Sequence, residues 1–221
     1  GKWINRQAEI PAFILMAVMA TKFVIIVIKI QRFRRRLTTR QVVNNQLKIL
    51  GDKLALNEKI VLINDNKPQA FCFGIRSPKI YVSTSLLDIT TTRELEAVLS
   101  HEKYHLEHED SLTLLLGSVT ASLFFFFPVL TDLVDQYRIK RELNADRAVV
   151  SSMPNESSLI SILRKLVTQE YAPAYAFTSS LAEWDTLELR IKTLLKQKTA
   201  RPSISFMRVG ISVISGLVMC A

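Results

Sequence analysis

Residues 101–105 read His-Glu-Lys-Tyr-His, and together with His108 they contain all three histidines of this 221-residue chain. Two histidines four positions apart on a helix project from one face, about one turn from each other, so His101 and His105 can reach a single metal ion. Glu102, beside the first histidine, can act on a water bound to the same ion. The spacing therefore predicts a zinc-dependent hydrolase, most often a peptidase.

The residues before this stretch favour the helix that such a site requires. Thr91 can cap the helix, and Glu94, three residues later, completes a capping box. Apolar residues then follow at helical spacing: Leu95, Val98 and Leu99. The alternative is a membrane-surface helix whose charges at 102–110 are simply solvated and whose histidines are incidental. That protein would bind no metal.

Three long apolar runs indicate a membrane protein. They cover residues 10–30, 111–134 and 203–221, close to the about 20 helical residues that cross a bilayer core. The net charge is +9, and basic residues are concentrated beside the first and third runs. These flanking residues are Arg32, Arg34, Arg35, Arg36 and Arg40, then Lys192, Lys196, Lys198 and Arg201. The positive-inside rule places both flanks on the cytoplasmic side.

The same basic residues raise a question about partners. A nucleic-acid surface is one interpretation of them, but their position beside apolar runs favours anionic lipid head groups. Membrane lipids are therefore the predicted partner, and direct nucleic-acid binding is not expected. Lys22 lies inside the first run, where a charge either snorkels to the interface or pairs with another helix.

The order of these segments predicts an α+β membrane protein that is mostly helical, with a small β-sheet. Strands are expected at 59–63, 69–75 and 79–83, separated by turn residues. An edge strand beside the metal helix can hold an extended peptide, so 69–74 or 79–83 is the candidate substrate strand; the alternative is that both strands are only scaffold. The predicted organisation is a transmembrane helix at 1–31, a basic linker and helix at 32–54, a zincin-like metalloprotease domain at 55–200 and a C-terminal transmembrane helix at 203–221.

The second apolar run, residues 111–134, imposes a constraint on topology. If it crossed the bilayer once, any later metal ligand would lie on the opposite side from His101, and one ion cannot be shared across a membrane. We therefore expect a re-entrant segment or a hairpin bent near Pro128, because proline interrupts the helical hydrogen-bond ladder.

The third metal ligand is predicted on a helix that runs from about residue 132 to 151. Glu142 is the best candidate, and Asp146, one turn further on, can accept the free ring N–H of a ligand histidine. In the alternative, both acids are ordinary helix charges that pair with Arg138 and Arg141.

The predicted chemistry follows from this constellation. Zinc lowers the pKa of its bound water, and Glu102 takes the water's proton and delivers it to the leaving amine. His108 is not expected to be a ligand, because a longer motif with a third histidine would place it at Ser111. The donor to the tetrahedral oxyanion stays open among four residues: Tyr137, Asn144, Arg147 and Tyr175.

Two stretches carry a resemblance to a known family. They begin at Phe71 (Phe-Cys-Phe-Gly-Ile-Arg-Ser-Pro-Lys-Ile-Tyr-Val) and at Glu94 (Glu-Leu-Glu-Ala-Val-Leu-Ser-His-Glu-Lys-Tyr-His-Leu-Glu-His-Glu-Asp). Both resemble the integral-membrane metalloproteases, of gluzincin type, of the beta-lactam sensor-transducer (antirepressor) family. Residues 142–146 and 187–191 also resemble the heat-shock and CAAX-processing membrane proteases, and the likeness covers roughly residues 10–200.

This resemblance implies roles for individual residues and a biological function for the protein. His101, His105 and Glu142 would be zinc ligands, Glu102 the base and Asp146 the supporting acid. Family members cleave themselves or a cytosolic repressor when an external domain senses a ligand. The expected protein is a multi-pass zinc endopeptidase of the cytoplasmic membrane, its active site on the cytoplasmic side and its substrate a protein. Its rivals are a quality-control protease and a non-catalytic signalling or scaffold protein; the intact Glu102 argues against the latter.

Overall fold

The computed structural model describes residues 2–39, 41–42, 44–56, 58–152, 157–168, 179–180, 184–197 and 204–220. The elements, in chain order, are α1 (Lys2–Thr39), β1 (Gln41–Val42), α2 (Asn45–Lys53), β2 (Ile60–Ile63), β3 (Ala70–Phe73), β4 (Lys79–Ser83), α3 (Thr84–Ile89), α4 (Thr92–Glu107), α5 (Asp110–Leu123), α6 (Val129–Ser152), α7 (Ser157–Thr168), β5 (Ser179–Ser180), α8 (Trp184–Leu194) and α9 (Phe206–Cys220). The mostly helical fold with a small sheet is confirmed.

The strands form one sheet in the order β1-β2-β4-β3-β5. β4 is interior, because it pairs with β2 in parallel and with β3 antiparallel. Residues 79–83 therefore cannot be the edge that binds a substrate strand. The outer side of β3 pairs antiparallel with β5, Phe71 opposite Ser180 and Cys72 opposite Ser179. A substrate would have to bind on this β3–β5 side or at the opposite edge of the sheet.

One face of the sheet forms the main core. Residues of β3 and β4 alternate, so that every second side chain packs against α4 and the helices around it. The buried members from these strands and from α4 are Ala70, Cys72, Ile80, Val82, Leu95, Ala97, Val98 and Leu99. This packing fixes the position of α4, the helix that carries the histidine motif.

The other face of the sheet packs against the end of α1. Phe33 and Leu37 are buried there with Ile63 and Phe71, and the Phe33 ring meets Phe73 edge-on with 4.8 Å between centroids. α1 continues through the basic cluster to Thr39, so residues 32–39, predicted as linker, are helical. Arginine favours helix, and Phe33 and Leu37 lie four residues apart on one face, which suits a helix packed on a sheet.

α1 also contains the described segment best suited to a bilayer. By length and composition, Phe13–Leu37 can cross a membrane, and only 6% of its apolar 18-residue window is buried within the protein. The apolar parts of α5 and α9, Asp110–Leu123 and Phe206–Val218, are shorter. Large apolar side chains on α1 and α9 are exposed, Phe13 at 64% and Leu217 at 67%. Such surfaces are typical of contact with lipid or with another protein.

The second apolar run folds as two packed helices, α5 and α6, joined by a turn that ends at Pro128. They approach closely at Gly117, where an added methyl group would lie 3.1 Å from Val134. Lys22 of α1 donates to the Ser122 carbonyl (3.3 Å) and lies 4.0 Å from the centre of the Phe125 ring. Lys22 therefore pairs with the end of α5, where a cation complements the unpaired carbonyls of a helix terminus.

Polar contacts also connect α9 to the start of α6. Asp132 accepts hydrogen bonds from Arg208 (2.5 Å) and from the Ser205 backbone N–H (3.2 Å). The Ser212 hydroxyl accepts from the Val129 N–H (3.2 Å), one of the unpaired donors of the first turn of α6. Hydrogen bonds of this kind hold helices together where apolar side chains alone give little specificity.

The predicted capping box of α4 is present and is joined to α7. The Thr91 hydroxyl accepts from the Glu94 N–H (3.3 Å), and the Thr91 N–H donates to the Glu94 carboxylate (2.8 Å). Lys165 and Ser161 of α7 each donate to the same carboxylate at 2.7 Å. Burial alone would raise the pKa of Glu94, but the bonds from Lys165, Ser161 and Thr91 lower it to about 2.

This network predicts an acid-dependent contribution to stability. The pKa of Glu94 is about 2 in the folded protein, against an ordinary value of 4.5. The ionised carboxylate therefore contributes fully to the free energy of unfolding above pH 4.5, and this contribution is lost as the pH falls toward 2. We expect Glu94→Gln to lower the free energy of unfolding at pH 7 by about 1–2 kcal/mol. The difference from wild type should shrink when denaturant unfolding is repeated near pH 3.

The matched control is Glu96→Gln on the same helix. Glu96 pairs with Lys53 of α2, whose side chain is 60% exposed, so a smaller loss is expected. Equal losses for the two variants at pH 7 would contradict the prediction.

Candidate metal centre

Three buried donor groups converge from two helices. His101 and His105 lie on α4 and Glu142 on α6, and one donor atom from each lies within 4.8 Å of the others. The Nε2 atoms of the two histidines are 3.0 Å apart. Glu142 places Oε2 3.2 Å from His101 Nε2 and Oε1 3.3 Å from His105 Nε2. The residues predicted as ligands are thus brought together at one point.

The other nitrogen of each imidazole faces a second carboxylate. His101 Nδ1 lies 3.0 Å from Asp146 Oδ1, and His105 Nδ1 lies 2.8 Å from Asp110 Oδ2. A carboxylate accepts, so each Nδ1 directs its proton toward that oxygen, and each Nε2 is left to bind a cation or a proton on the inner side. Two lone pairs and a carboxylate that face one another repel unless a cation lies between them.

A fully buried arginine completes the group. Arg190 of α8 forms a two-bond pair with Asp146 (2.8 Å and 2.6 Å), and its Nη1 lies 2.9 Å from Glu142 Oε2. Four carboxylates surround the histidines, Glu102, Asp110, Glu142 and Asp146, against the guanidinium groups of Arg141 and Arg190. With neutral imidazoles these groups carry a formal charge of −2, which one divalent cation neutralises.

The pKa of His105 shows how strongly this point attracts positive charge. Burial alone would lower the pKa of His105, but the charge of Glu142 and hydrogen bonds to Asp110 and Glu142 raise it to about 10. Burial would raise the pKa of Glu142, yet Arg190 and the two histidines hold it well below its usual range. A metal ion would take the place of a proton that the donors already hold.

Glu102 is a buried acid on the same helix, within the electrostatic influence of both histidines. Its side chain is fully buried, and neither carboxylate oxygen has a hydrogen-bond partner within the part of the chain that the structure describes. Burial is the main cause that raises its pKa. Its backbone carbonyl accepts from the Cys72 thiol of β3 (3.0 Å), which ties this turn of α4 to the sheet. A buried, unpaired carboxylate beside a metal site is suited to take a proton from a reacting water.

The donor set fits a small divalent ion such as zinc. Bonds of about 2.0–2.2 Å in tetrahedral geometry separate neighbouring ligand atoms by about 3.3–3.6 Å. The two Nε2 atoms are 3.0 Å apart, and each lies 3.2–3.3 Å from a different oxygen of Glu142, which is close to that range. Two imidazoles and one carboxylate leave a fourth position, which is the arrangement of catalytic rather than structural zinc sites.

The remaining residues singled out in the sequence are placed as follows. Asp146 is buried against His101, as predicted for the supporting acid, whereas His108 is exposed, stacks on Tyr104 and lies outside the cluster. In place of the alternative, in which Glu142 and Asp146 pair with Arg138 and Arg141, both acids contact Arg190. Of the oxyanion candidates, Tyr175 lies outside the described residues, and the choice among Tyr137, Asn144 and Arg147 stays a prediction.

Three site residues were missed by reasoning from the sequence: Asp110, Arg141 and Arg190. Arg190 lies in the stretch 187–191 that carried part of the family resemblance, and that stretch was the available signal. Asp110 lies five residues after His105, beyond the helix that the motif requires. Nothing in the local sequence indicated that the chain turns back there.

Comparison with known proteins agrees with this geometry. A family model described as BlaR1 peptidase M56 matches residues 5–194, which confirms the resemblance. The chain is 35% identical over 97 residues to a Protease HtpX homolog of Bordetella pertussis, covering 42% of this chain and 33% of the relative. Protease HtpX of Legionella pneumophila is 41% identical over 66 residues, 28% of this chain and 23% of the relative. The chain spans about a third or less of the length of these relatives.

The metal centre predicts a defined stoichiometry. Protein purified in detergent should carry one divalent ion per chain by elemental analysis, and Glu142→Ala and His101→Ala should carry close to none, because each removes one of three ligands. A chelator should lower the midpoint of thermal unfolding of the wild type and leave that of these variants unchanged.

Asp135→Ala is the matched control for the metal measurement. It removes an acid on the same helix that is 53% exposed and pairs with Arg138, so the full equivalent of metal should remain. Undiminished metal in His101→Ala and Glu142→Ala would exclude this cluster as the binding site.

Proposed function

The chain belongs to the BlaR1 peptidase M56 family, and we propose that it is a zinc-dependent endopeptidase held in the membrane. The observation that carries this proposal is the convergence of His101, His105 and Glu142 around one point, with the unpaired carboxylate of Glu102 buried on the same helix. A non-catalytic scaffold would have no need to keep a buried, unpaired base, because such a group costs stability.

The proposed chemistry assigns one role to each residue. His101, His105 and Glu142 would hold the zinc ion, which when bound would supply an acidified water and polarise the scissile carbonyl. Glu102 would accept a proton from the attacking water and return it to the departing amine. Asp146 keeps the proton of His101 on Nδ1, so that Nε2 stays available as a ligand.

The substrate is proposed to bind as an extended strand beside β3. The contact between the Cys72 thiol and the Glu102 carbonyl places this strand directly against the catalytic turn of α4. A peptide that pairs with the sheet on this side would run past the base and the ligands. Ser179 and Ser180 occupy pairing positions opposite Cys72 and Phe71, so such a peptide would pair outside β5 or displace it.

The proposed membrane arrangement follows from the end of α1. Phe33 and Leu37 dock on the sheet; Phe33 lies within the basic cluster Arg32–Arg36 that follows the apolar segment, and Leu37 comes directly after it. The protease domain is therefore on the basic side of α1, which the positive-inside rule assigns to the cytoplasm. We propose that α1 spans the bilayer, that α9 and the α5–α6 hairpin insert beside it, and that anionic lipids contact the arginines.

The proposed substrate is a protein. A site on the cytoplasmic side has access to cytosolic regulators and to the chain's own cytoplasmic segments, which are the substrates that the family resemblance implies. Quality control of damaged membrane proteins remains the alternative assignment, and comparing the proteomes of cells with active and inactive enzyme would distinguish the two.

The catalytic assignment is tested by Glu102→Gln, which keeps the size of the side chain and removes its basicity. We expect the variant to retain one zinc per chain and to cleave fluorescein-labelled casein about 10²–10⁴-fold more slowly than wild type. Glu107→Gln, an exposed acid on the same helix, should behave as wild type. Equal cleavage by Glu102→Gln and wild type would remove the proposed mechanism.

The topology is tested by labelling on both sides of the α5–α6 hairpin. Single cysteines replace Glu107, before the hairpin, and Lys140, after it, in a background that lacks the natural cysteines; both positions are exposed. A membrane-impermeant maleimide should modify both in inside-out vesicles and neither in right-side-out vesicles. Labelling of the two positions from opposite sides would rule out a shared metal site.

A further inference from the structure

We propose that Arg141 and Asp110 form a positioning pair, which orients His105 and ties the helix of Glu142 to the helix of the two histidines. This inference rests on the proposed function, because it concerns how the metal site is assembled. Neither residue contacts the substrate or the metal in this assignment. Both act through His105.

The contacts form a chain from the ligand outward. Asp110 is fully buried; its Oδ2 lies 2.8 Å from His105 Nδ1, and its Oδ1 is paired with the guanidinium of Arg141. With one oxygen of Asp110 paired to the arginine, the other oxygen is directed at the imidazole. His105 is thereby kept with its proton on Nδ1 and with Nε2 toward Glu142.

The backbone turn between α4 and α5 brings Asp110 to this position. Glu109 adopts a left-handed conformation (φ 52°, ψ 31°), which reverses the chain immediately after α4. A non-glycine residue in this region costs of order 1 kcal/mol or more and persists where surrounding contacts determine it. Here those contacts are the pairing of Asp110 and a hydrogen bond from the Ser111 hydroxyl to the Cys72 carbonyl of β3 (2.9 Å).

Arg141 extends the connection to the third ligand. It precedes Glu142 on α6, so the residue that holds Asp110 and the residue that completes the donor set are neighbours on one rigid helix. The guanidinium also lies over the rings of Tyr104 on α4 (5.4 Å) and Tyr137 on α6 (5.9 Å), contacts that favour a cation. The side chain is only 17% exposed.

The two histidines differ in how their supporting acids are held. Asp146, behind His101, shares helix α6 with Glu142 and is paired with Arg190 of α8. Asp110 belongs to the α4–α5 corner and is paired with Arg141 across to α6. Both arrangements connect α4 with α6, the first directly from Asp146 to His101 and the second through Asp110 to Arg141. The second also holds the corner that follows α4, so its loss should loosen the donor set before metal binds.

The experiment measures zinc affinity by competition with a chromophoric chelator for the full chain in detergent. We expect Arg141→Met and Asp110→Asn to raise the Kd for zinc about 10–100-fold, the usual effect of removing a group that supports a ligand histidine. Arg138→Met is the matched control: it lies on the same helix, is also 17% exposed and pairs with Asp135 three residues away. Its Kd should equal that of wild type, and Arg141→Lys should recover part of the loss.

A second measurement separates positioning from a general loss of stability. The chain has only three histidines, so ¹⁵N-histidine labelling gives resolvable ring signals. Metal-free wild type and Arg138→Met should show His105 with a fixed Nδ1 proton, whereas Asp110→Asn and Arg141→Met should show averaged ring signals at an unchanged backbone circular dichroism. Variants with wild-type Kd and wild-type ring signals would overturn the inference.

The result also distinguishes this inference from the proposed function. If wild type binds no zinc, the proposed function fails and the inference falls with it. If wild type binds zinc and Glu102→Gln abolishes cleavage while Arg141→Met binds zinc normally, the proposed function stands and only the positioning pair is excluded.

Discussion

The charges buried around His101 and His105 must be neutralised within the fold, and this requirement governs how the surrounding helices are arranged. Four carboxylates lie in this region with two guanidinium groups, and a buried charge without a partner costs several kcal/mol. Each acid therefore pairs with an arginine or faces a histidine, except Glu102, which lies beside the three metal-binding residues. The fold brings α4, α5, α6 and α8 together at this point, and the residual negative charge makes the same point a binding site for a divalent cation.

The hairpin of α5 and α6 makes this convergence possible. The hairpin returns the chain to α4 after the apolar run, so that residues about forty positions apart, such as His101 and Glu142, lie in one site. Close contact at Gly117 keeps the two helices together, Lys22 binds the carbonyl end of α5, and the Asp132–Arg208 pair joins α9 to α6. Polar contacts thus define the arrangement of apolar helices, where the hydrophobic effect alone has little directional preference.

α1 has two different surfaces along its length. Its apolar segment exposes large side chains to its surroundings, whereas its last turns bury Phe33 and Leu37 against the sheet. The sheet in turn contacts α4 through its opposite face. The last turns of α1 and the metal helix therefore pack on opposite faces of a single layer of strands.

Features that depend on neighbours within a few residues were predictable from the amino-acid sequence. The capping box, the shared face of His101 and His105 and the three central strands follow from local spacing, and Glu142 followed from the requirement for a third ligand on a later helix. The groups that surround those ligands are set by the packing of the helices. Asp110 reaches His105 through a left-handed turn at Glu109, and Arg190 reaches Glu142 and Asp146 from more than forty residues away. Such partners are selected by the need to neutralise buried charge once the helices have packed, and no local pattern encodes that need.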